Sequence, residues 1–87
     1  MMTEELIYIL RRSVKFGLSK NPAKSAVAFR VWDAMEEALA PQQKDILICI
    51  YINGFSPIRV AADLNMPLRR VELLRRSALR FLLAALV

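Results

Sequence analysis

The residues of this sequence whose type and spacing best suit a binding function are arginines near its C-terminal end. Five arginines lie between Arg69 and Arg80, and the guanidinium group is planar, always charged and able to donate paired hydrogen bonds. These properties suit phosphate oxygens and the edges of guanine bases. Arginines also keep a helix in water, so the pattern alone leaves a binding surface and a solvated surface both open.

Other kinds of chemistry lack the residues they need. The chain has no histidine and a single cysteine, Cys49, which lies in the apolar run ILICIYI and is expected to pack as a small hydrophobic side chain. Gly17 and Gly54 are the only glycines and form no phosphate-binding loop. We therefore expect a protein that is not an enzyme and that has no catalytic residue, no metal site and no cofactor.

The composition predicts one globular domain. With 87 residues, 56% of them hydrophobic, the chain can form a core. No apolar run approaches the about 18 residues of a membrane-spanning helix, and the start, MMTEELIYIL, is acidic where a secretory signal would be basic. We expect a cytoplasmic protein with no membrane association.

The charge is unevenly distributed along the chain. The net charge is +5, residues 11–30 carry six basic and no acidic residues, and residues 33–45 carry four acidic and one basic residue. A polarised surface of this kind is typical of phosphate binding. Many solvated surfaces are also uneven, so charge alone favours a nucleic acid partner only slightly.

Capping residues and prolines predict an all-α fold, a compact domain of about five helices with a helix-turn-helix near its C-terminus. Ser, Thr and Asn favour helix starts, proline favours the first helical position, and glycine favours the end. We predict helix starts at Thr3, Asn21-Pro22, Pro41, Ser56-Pro57 and Pro67, and ends near Gly17, Leu39, Ile52, Leu64 and the last residue.

The third of these helices is ambiguous in the sequence. Its run DILICIYI is rich in β-branched and aromatic residues, and Asn53-Gly54 is a strong hairpin signal. A hairpin needs a second strand, but the residues that follow have helical periodicity. We therefore predict a helix that ends at Asn53-Gly54, with Gly54 in a left-handed conformation.

The next two helices fit the spacing of a helix-turn-helix. In this motif a small residue lies where the helices cross, a turn residue accepts positive φ, and apolar residues lock the second helix on the first. Asn65 is suited to the turn. The remaining positions are filled by Val60, Ala61, Leu64, Met66, Val71 and Leu74.

The segment ALAPQQKDILICIYINGFSPIRVAADLNMPLRRVELLRRSAL resembles region four of bacterial primary-type sigma factors, where a proline-started helix, a glycine-hydrophobic-serine step and a helix-turn-helix occur in the same order. It is also similar to the short phage antitermination proteins of the Q type. The resemblance covers residues 38–82 and places the helix-turn-helix within residues 56–80. It gives no role to the helices of residues 3–39.

The resemblance implies that the second helix of the motif enters the major groove of DNA. Pro67 stands where the family usually has a capping Ser or Thr, and Arg75 where it often has a core leucine. By the same resemblance, the base-facing positions are Leu68, Arg69, Glu72, Leu73 and Arg76, and the phosphate-facing positions are Arg59, Arg70 and Arg75.

A helical wheel provides a second line of evidence. If Val71, Leu74, Ala78, Leu82 and Ala85 face the core, a rotation of about 100° per residue places the exposed face on the opposite side. That face carries Arg69, Leu73 and Arg76, which agrees with the resemblance, and it adds Arg80, which we assign to phosphate.

The last seven residues, 81–87, are apolar on every side. We expect one small domain to bury only one face of them, which leaves apolar surface for a protein partner. Because one helix-turn-helix covers one half-site of DNA, we predict a homodimer, with RNA polymerase as a competing partner. The predicted protein interface consists of Leu79, Leu83, Leu86 and Val87.

Two hypotheses about function follow. The first is a DNA-binding transcription regulator of phage or mobile-element type that acts at promoters with RNA polymerase. The alternative is a protein-interaction module that docks on RNA polymerase or on a sigma factor without reading DNA. The arginines favour the first, whereas exposed Leu68 and Leu73 favour the second.

Overall fold

The computed structural model describes residues 1–87 as an all-helical fold without a β-strand, which confirms the predicted class. The first predicted helix is divided in two, so there are six α-helices rather than five. They are α1 (Thr3–Arg11), α2 (Ser13–Gly17), α3 (Pro22–Ala38), α4 (Pro41–Leu47), which continues as a π-helical turn (Ile48–Ile52), α5 (Pro57–Asp63) and α6 (Leu68–Leu86).

The division of the first helix lies at Arg12, which has φ −112° and ψ 8°. The next residue, Ser13, is buried, and its hydroxyl donates a hydrogen bond of 3.0 Å to the carbonyl oxygen of Leu10. Serine side chains that bond to the preceding turn bend helices. The chain has no proline or glycine at this point, so the apolar stripe predicted one continuous helix.

Local capping signals mark the starts of two helices. Asn21 and Ser56 cap α3 and α5 as predicted, because their side-chain oxygens accept backbone N–H bonds of 3.0 and 3.2 Å. The predicted Thr3 cap is wrong: Met2 is the capping position and Thr3 is the first helical residue. The Glu5 carboxylate accepts the N–H of Met2 at 3.3 Å, which is the contact that the third helical residue makes in a capping box.

The ambiguous segment is helical, although its second half is not an α-helix. The N–H of Asn53 donates to the carbonyl oxygen of Ile48, five residues back, at 2.9 Å. Gly54 follows with φ 75°, which confirms the predicted left-handed conformation. No atom would obstruct a Cβ at Gly54, so its backbone angle alone explains the glycine. The hairpin alternative is wrong because no strand is present.

Two apolar clusters meet along α6, whose 19 residues span about 28 Å. The large cluster joins α1, α3, the α4 and π-helical segment, and the C-terminal half of α6. The small cluster joins α4 and α5 to the N-terminal half of α6 and consists of Ile46, Val60, Ala61 and Val71.

None of the six helices combines the length and the apolar character that crossing a bilayer requires.

A buried polar contact fixes the position of α6 on α4. Gln43 donates through Nε2 to Ser77 Oγ at 3.0 Å, while its Oε1 accepts the N–H of Ala40 at 2.9 Å. Ser77 in turn donates to the carbonyl oxygen of Leu74 at 3.1 Å. Both polar atoms of the buried amide are therefore satisfied, and a slip of α6 along α4 would leave Nε2 without its partner.

Candidate functional site

Residues 64–67 join α5 to α6 in a turn of defined geometry. Asn65 has φ 51°, so the prediction that it accepts positive φ is confirmed. The N–H of Asn65 donates to the carbonyl oxygen of Ala62 at 3.3 Å, and the N–H of Met66 donates to that of Ala61 at 3.0 Å. This pair of bonds is a Schellman motif, which satisfies two carbonyl groups at the end of α5 and fixes the direction in which the chain leaves it.

The small cluster holds α5 against α6. Met66 and Leu74 pack against its edge, so most of the apolar positions that the sequence assigned to this contact do take part in it. Leu64 is the exception, because it ends α5 with 36% of its surface exposed. The N-terminal half of α6 thus rests on α4 and α5 with its other side turned to solvent.

The exposed surface of α6 carries four arginines, which we call the arginine face: Arg69, Arg76 and Arg80 lie along one side of the helix, and Arg70 lies about 100° around it, and all four are exposed. The side chains of these four arginines form no hydrogen bond and no ion pair within the chain, since the side-chain bonds of arginines involve Arg30 and Arg75 and the three ion pairs involve other residues. Leu68 and Leu73 lie among them and are 43% and 55% exposed.

On the core side of the helical wheel, the predicted positions hold with one exception. Val71, Ala78 and Leu82 are buried and Leu74 is half-buried, but Ala85 is exposed. The rotation of α6 is therefore close to the predicted one through Leu82 and differs from it only at the last turn.

The first turn of α6 is open at its N-terminus. Pro67 precedes the helix and offers no side-chain cap. The first backbone N–H of the helix with a partner is that of Arg70, which donates to the carbonyl oxygen of Pro67 at 3.0 Å. The N–H groups of Leu68 and Arg69 are unpaired, and the aligned peptide dipoles give this end of the helix a partial positive charge beside the arginine face.

Arg75, expected at a phosphate, is not part of the arginine face, because its guanidinium is bonded within the chain. Its Nη2 and Nε donate to Glu72 Oε2 at 2.6 and 3.2 Å, and its Nη1 donates to the Tyr51 hydroxyl at 3.0 Å. The hydrogen bond to Glu72 raises the pKa of Arg75 above its ordinary value, and burial opposes that rise. Glu72, expected to face a base, is likewise engaged in this contact, so the two residues anchor α6 to the π-helical turn.

Arg59, also expected at a phosphate, keeps a solvent-exposed guanidinium. It lies 3.9 Å above the ring of Phe55 and 3.6 Å from the Asp63 carboxylate, and the side chains of this ion pair are 60% and 57% exposed. An exposed pair of this kind contributes little to stability. Arg59 can therefore exchange Asp63 for another anion at small cost.

The C-terminal apolar surface is smaller than the sequence predicted. Leu79 and Leu86 are 6% and 4% exposed and belong to the large cluster, so they are not available to a partner. The expectation failed because α1 and α3 both pack on α6 and cover two of its sides. Leu83 packs partly against the cluster, and Val87 remains 94% exposed.

A groove between α1 and α6, which we call the α1–α6 groove, was not predicted. Its volume is about 400 Å³. Thr3 and Ile7 of α1 line one side, and Arg76, Leu79, Arg80 and Leu83 of α6 line the other, with Arg75 at one wall. Sequence alone held no signal for it, because the two helices are far apart along the chain.

Cys49 and the acidic residues form no further site. Burial raises the pKa of the Cys49 thiol, and the charges of Asp45 and Asp63 raise it further. Glu36 forms an ion pair with Lys44 at 2.9 Å. No group of histidine, cysteine, aspartate or glutamate side chains is arranged to hold a metal ion.

Comparisons of this chain with known protein families, with curated proteins and with solved structures find no match.

Proposed function

We propose that this protein binds double-stranded DNA, with α6 as the helix that enters the major groove. The arginine face is the observation that carries the proposal: four exposed arginines, whose side chains form no hydrogen bond or ion pair within the chain, lie on a helix whose start is open. An α-helix fits the major groove, and arginine forks match guanine edges and phosphate oxygens. The Asn65 turn and the small cluster hold this helix in a fixed orientation on α5.

Within this proposal the exposed residues take separate roles. Arg69 and Arg76 contact bases, and Leu68 and Leu73 contact thymine methyl groups, which are the apolar feature of the major groove. Arg59, Arg70 and Arg80 contact phosphates. Arg75 and Glu72 take no part in the contact but keep α6 in place through Tyr51.

We further propose that the protein is a non-enzymatic transcription regulator of the cytoplasm, acting at promoters with RNA polymerase in the manner of sigma region four or of a phage antiterminator. The order of elements supports this. A proline-started helix, the Gly54-Phe55-Ser56 step, α5 and α6 follow one another as in the resemblance.

The test is a measurement of affinity for a random-sequence duplex across a salt series, with and without RNA polymerase. We expect the logarithm of the association constant to fall linearly with the logarithm of salt, at about 0.9 per phosphate neutralised. An absence of duplex binding at low salt, both alone and with polymerase, would contradict the proposal.

Variants distinguish base contacts from general charge. Arg69→Ala and Arg76→Ala are expected to cost about 1 to 3 kcal/mol each on a selected target duplex and less on random DNA. Arg12→Ala is the matched control, because it also removes one exposed arginine. Arg12 follows α1, where it stacks on Tyr8, and does not belong to α6. An equal loss of affinity in the control would assign the binding to overall charge.

A second candidate function rests on Leu68 and Leu73, two large apolar side chains of α6 that are exposed to solvent. In this alternative the same face docks on RNA polymerase or on a sigma factor and reads no DNA. Under this alternative, the parent protein binds polymerase and does not bind a random duplex. Leu73→Ser would then abolish the binding to polymerase. Salt-dependent duplex binding in the parent protein would contradict this alternative.

A homodimer remains part of the proposal, on a narrower basis than the sequence suggested. Leu79 and Leu86 are buried within their own chain, so of the four predicted interface residues only Val87 and the edge of Leu83 are open to a partner. The remaining argument for a homodimer is that two copies would read two half-sites about one DNA turn apart. Light scattering on the parent protein and on Val87→Asp tests this: a monomeric parent excludes self-association, and an unchanged dimer in the variant places the interface elsewhere.

A further inference from the structure

We propose that the α1–α6 groove binds a small organic phosphate that carries an apolar chain. The groove combines arginine side chains, which form a cationic rim, with apolar side chains, which form a floor, in one depression of about 400 Å³. Ligand pockets typically have volumes of about 300 to 1,000 Å³. The size therefore suits a ligand of this class, with its phosphate at the rim and its chain on the floor.

The arginines of the cationic rim have no anionic partner within the chain. Arg76 and Arg80 form no ion pair and donate no hydrogen bond within the chain, and the Thr3 hydroxyl is likewise unpaired. No acidic residue lines the groove. Glu4 and Glu5 line a different depression of α1, together with Tyr8 and Ile9, so they do not neutralise the rim from inside. Guanidinium groups and a hydroxyl are hydrogen-bond donors that suit the oxygens of a phosphate monoester.

The apolar floor is formed by Ile7, Leu79 and Leu83. Leu79 is 6% exposed, and Ile7 and Leu83 pack against the large cluster with part of their surface open. A phosphate alone would leave this floor in contact with water. A chain laid along the floor would remove apolar surface from water on both sides, which favours binding by about 25 cal/mol per Å².

Arg75 makes the end wall of the groove rigid. Because its guanidinium is bound to Glu72 and to the Tyr51 hydroxyl, it cannot turn toward a ligand without losing those bonds. The groove is thus formed in the unbound protein, and a ligand does not have to order this wall when it binds.

Occupation of the groove would also affect DNA binding, a consequence that rests on the proposed function. Arg76 and Arg80 belong to both the arginine face and the groove. A phosphate held by these two side chains competes with the DNA phosphate or base that they would otherwise contact. The ligand would then act as an effector that releases DNA.

The test measures binding of inorganic phosphate and of methyl, butyl, hexyl and octyl phosphate to the full chain by calorimetry, below the micellar concentration of each. We expect affinity to rise about fourfold for each methylene added, as expected from the burial of one methylene, until the chain outgrows the floor. Inorganic phosphate should bind weakly. Affinity that does not change with chain length would overturn the proposal, because the rim would then be only a general anion site.

Variants separate the rim from the floor. Arg80→Gln is expected to weaken every alkyl phosphate about tenfold and to leave the gain per methylene unchanged. Leu83→Ala should reduce the gain per methylene and leave methyl phosphate unaffected. Arg69→Gln and Leu73→Ala are the matched controls, since both residues lie on α6 outside the groove. A loss of affinity in the controls equal to that in Arg80→Gln and Leu83→Ala would overturn the assignment to this groove.

A competition experiment separates this inference from the proposed function. If octyl phosphate binds and displaces a labelled duplex, both hold. If it binds while no duplex binding is detected, the groove stands and the DNA proposal fails. If the duplex binds and octyl phosphate does not, the groove proposal is overturned and the DNA proposal stands. Circular dichroism on each variant checks that the helices are intact.

Discussion

Arginines of the same helix have different roles according to their neighbours. Arg75 has a carboxylate and a phenol within hydrogen-bonding distance, whereas Arg69, Arg70, Arg76 and Arg80 have none. Sequence spacing could not separate them, because the partner that decides the role of Arg75 is Tyr51, 24 residues away in the chain. The Glu72 contact is local, and its spacing of three residues was a usable signal.

The anchoring role of Arg75 predicts an effect on stability. Arg75→Ala is expected to lower the free energy of unfolding by about 1 to 2 kcal/mol, because the Tyr51 hydroxyl and Glu72 lose their hydrogen bonds. Arg69→Ala, an exposed arginine of the same helix, should change it by less than about 0.5 kcal/mol. Urea denaturation followed by circular dichroism measures both. Equal values for the two variants would contradict the anchoring role.

Cys49 provides a prediction about reactivity. Its pKa is raised by burial and by the nearby carboxylates of Asp45 and Asp63, so less thiolate is present at a given pH than in an exposed cysteine. We expect slow modification by a thiol reagent at neutral pH and a steep rise at alkaline pH. The same cysteine in the urea-unfolded chain is the control. A native-state rate that equals the unfolded-state rate at pH 7 would contradict the effect of burial.

At the scale of elements, the sequence predicted what local chemistry decides. The caps at Asn21 and Ser56, the left-handed Gly54 and the positive φ of Asn65 each depend on a few neighbouring residues. The break at Arg12 was not predicted because it depends on the burial of Ser13, which no local pattern encodes. The π-helical turn was not predicted either, because β-branched residues are compatible with several backbone conformations.

The turn between α5 and α6 gives a prediction that depends on backbone angle. Asn65→Gly should leave stability nearly unchanged or raise it slightly, because glycine adopts φ 51° without strain. Asn65→Val should lower the free energy of unfolding by about 1 to 2 kcal/mol, because a β-branched residue is disfavoured in the left-handed region. Thermal unfolding compares the two. If Asn65→Val matched the parent protein, the turn would not depend on this conformation.

The contact between α2 and α3 predicts a second effect. A Cβ on Gly17 would lie 2.5 Å from Cη2 of Trp32, so the indole must move if the residue is enlarged. Gly17→Ala is expected to cost about 1 kcal/mol or more and to shift the fluorescence of Trp32, the only tryptophan in the chain. Gly54→Ala is a useful comparison. It should lower stability through its backbone angle without changing the tryptophan emission.

For the whole molecule, α6 performs two tasks along its length. The buried side of its C-terminal half completes the large cluster, while its exposed surface presents the arginine face from Arg69 to Arg80. Periodicity predicted the division of α6 into a core side and an exposed side. It did not predict the burial of Leu79 and Leu86, because that depends on α1 and α3 packing on two further sides of the helix.

The distribution of charge over the molecule gives a prediction about salt dependence. Arg70→Gln with Arg80→Gln and Lys20→Gln with Lys24→Gln each remove two charges from a net charge of +5. If only the arginine face neutralises phosphates, the first pair should reduce the salt slope of duplex binding by about 1.8 and the second should leave it unchanged. Equal changes in the two double variants would show that DNA contacts the basic segment of residues 11–30 as well.

The π-helical turn makes the position of Tyr51 depend on the number of residues in its helix. A turn with hydrogen bonds that reach five residues back holds one residue more than an α-helical turn, as if a residue had been inserted into α4. One residue rotates every following position by about 100° about the helix axis. Removing Ile50 would restore an ordinary α-helix, but it would swing the Tyr51 hydroxyl away from Arg75. The contact between the phenol and the guanidinium therefore depends on the number of residues in this helix as well as on their identity.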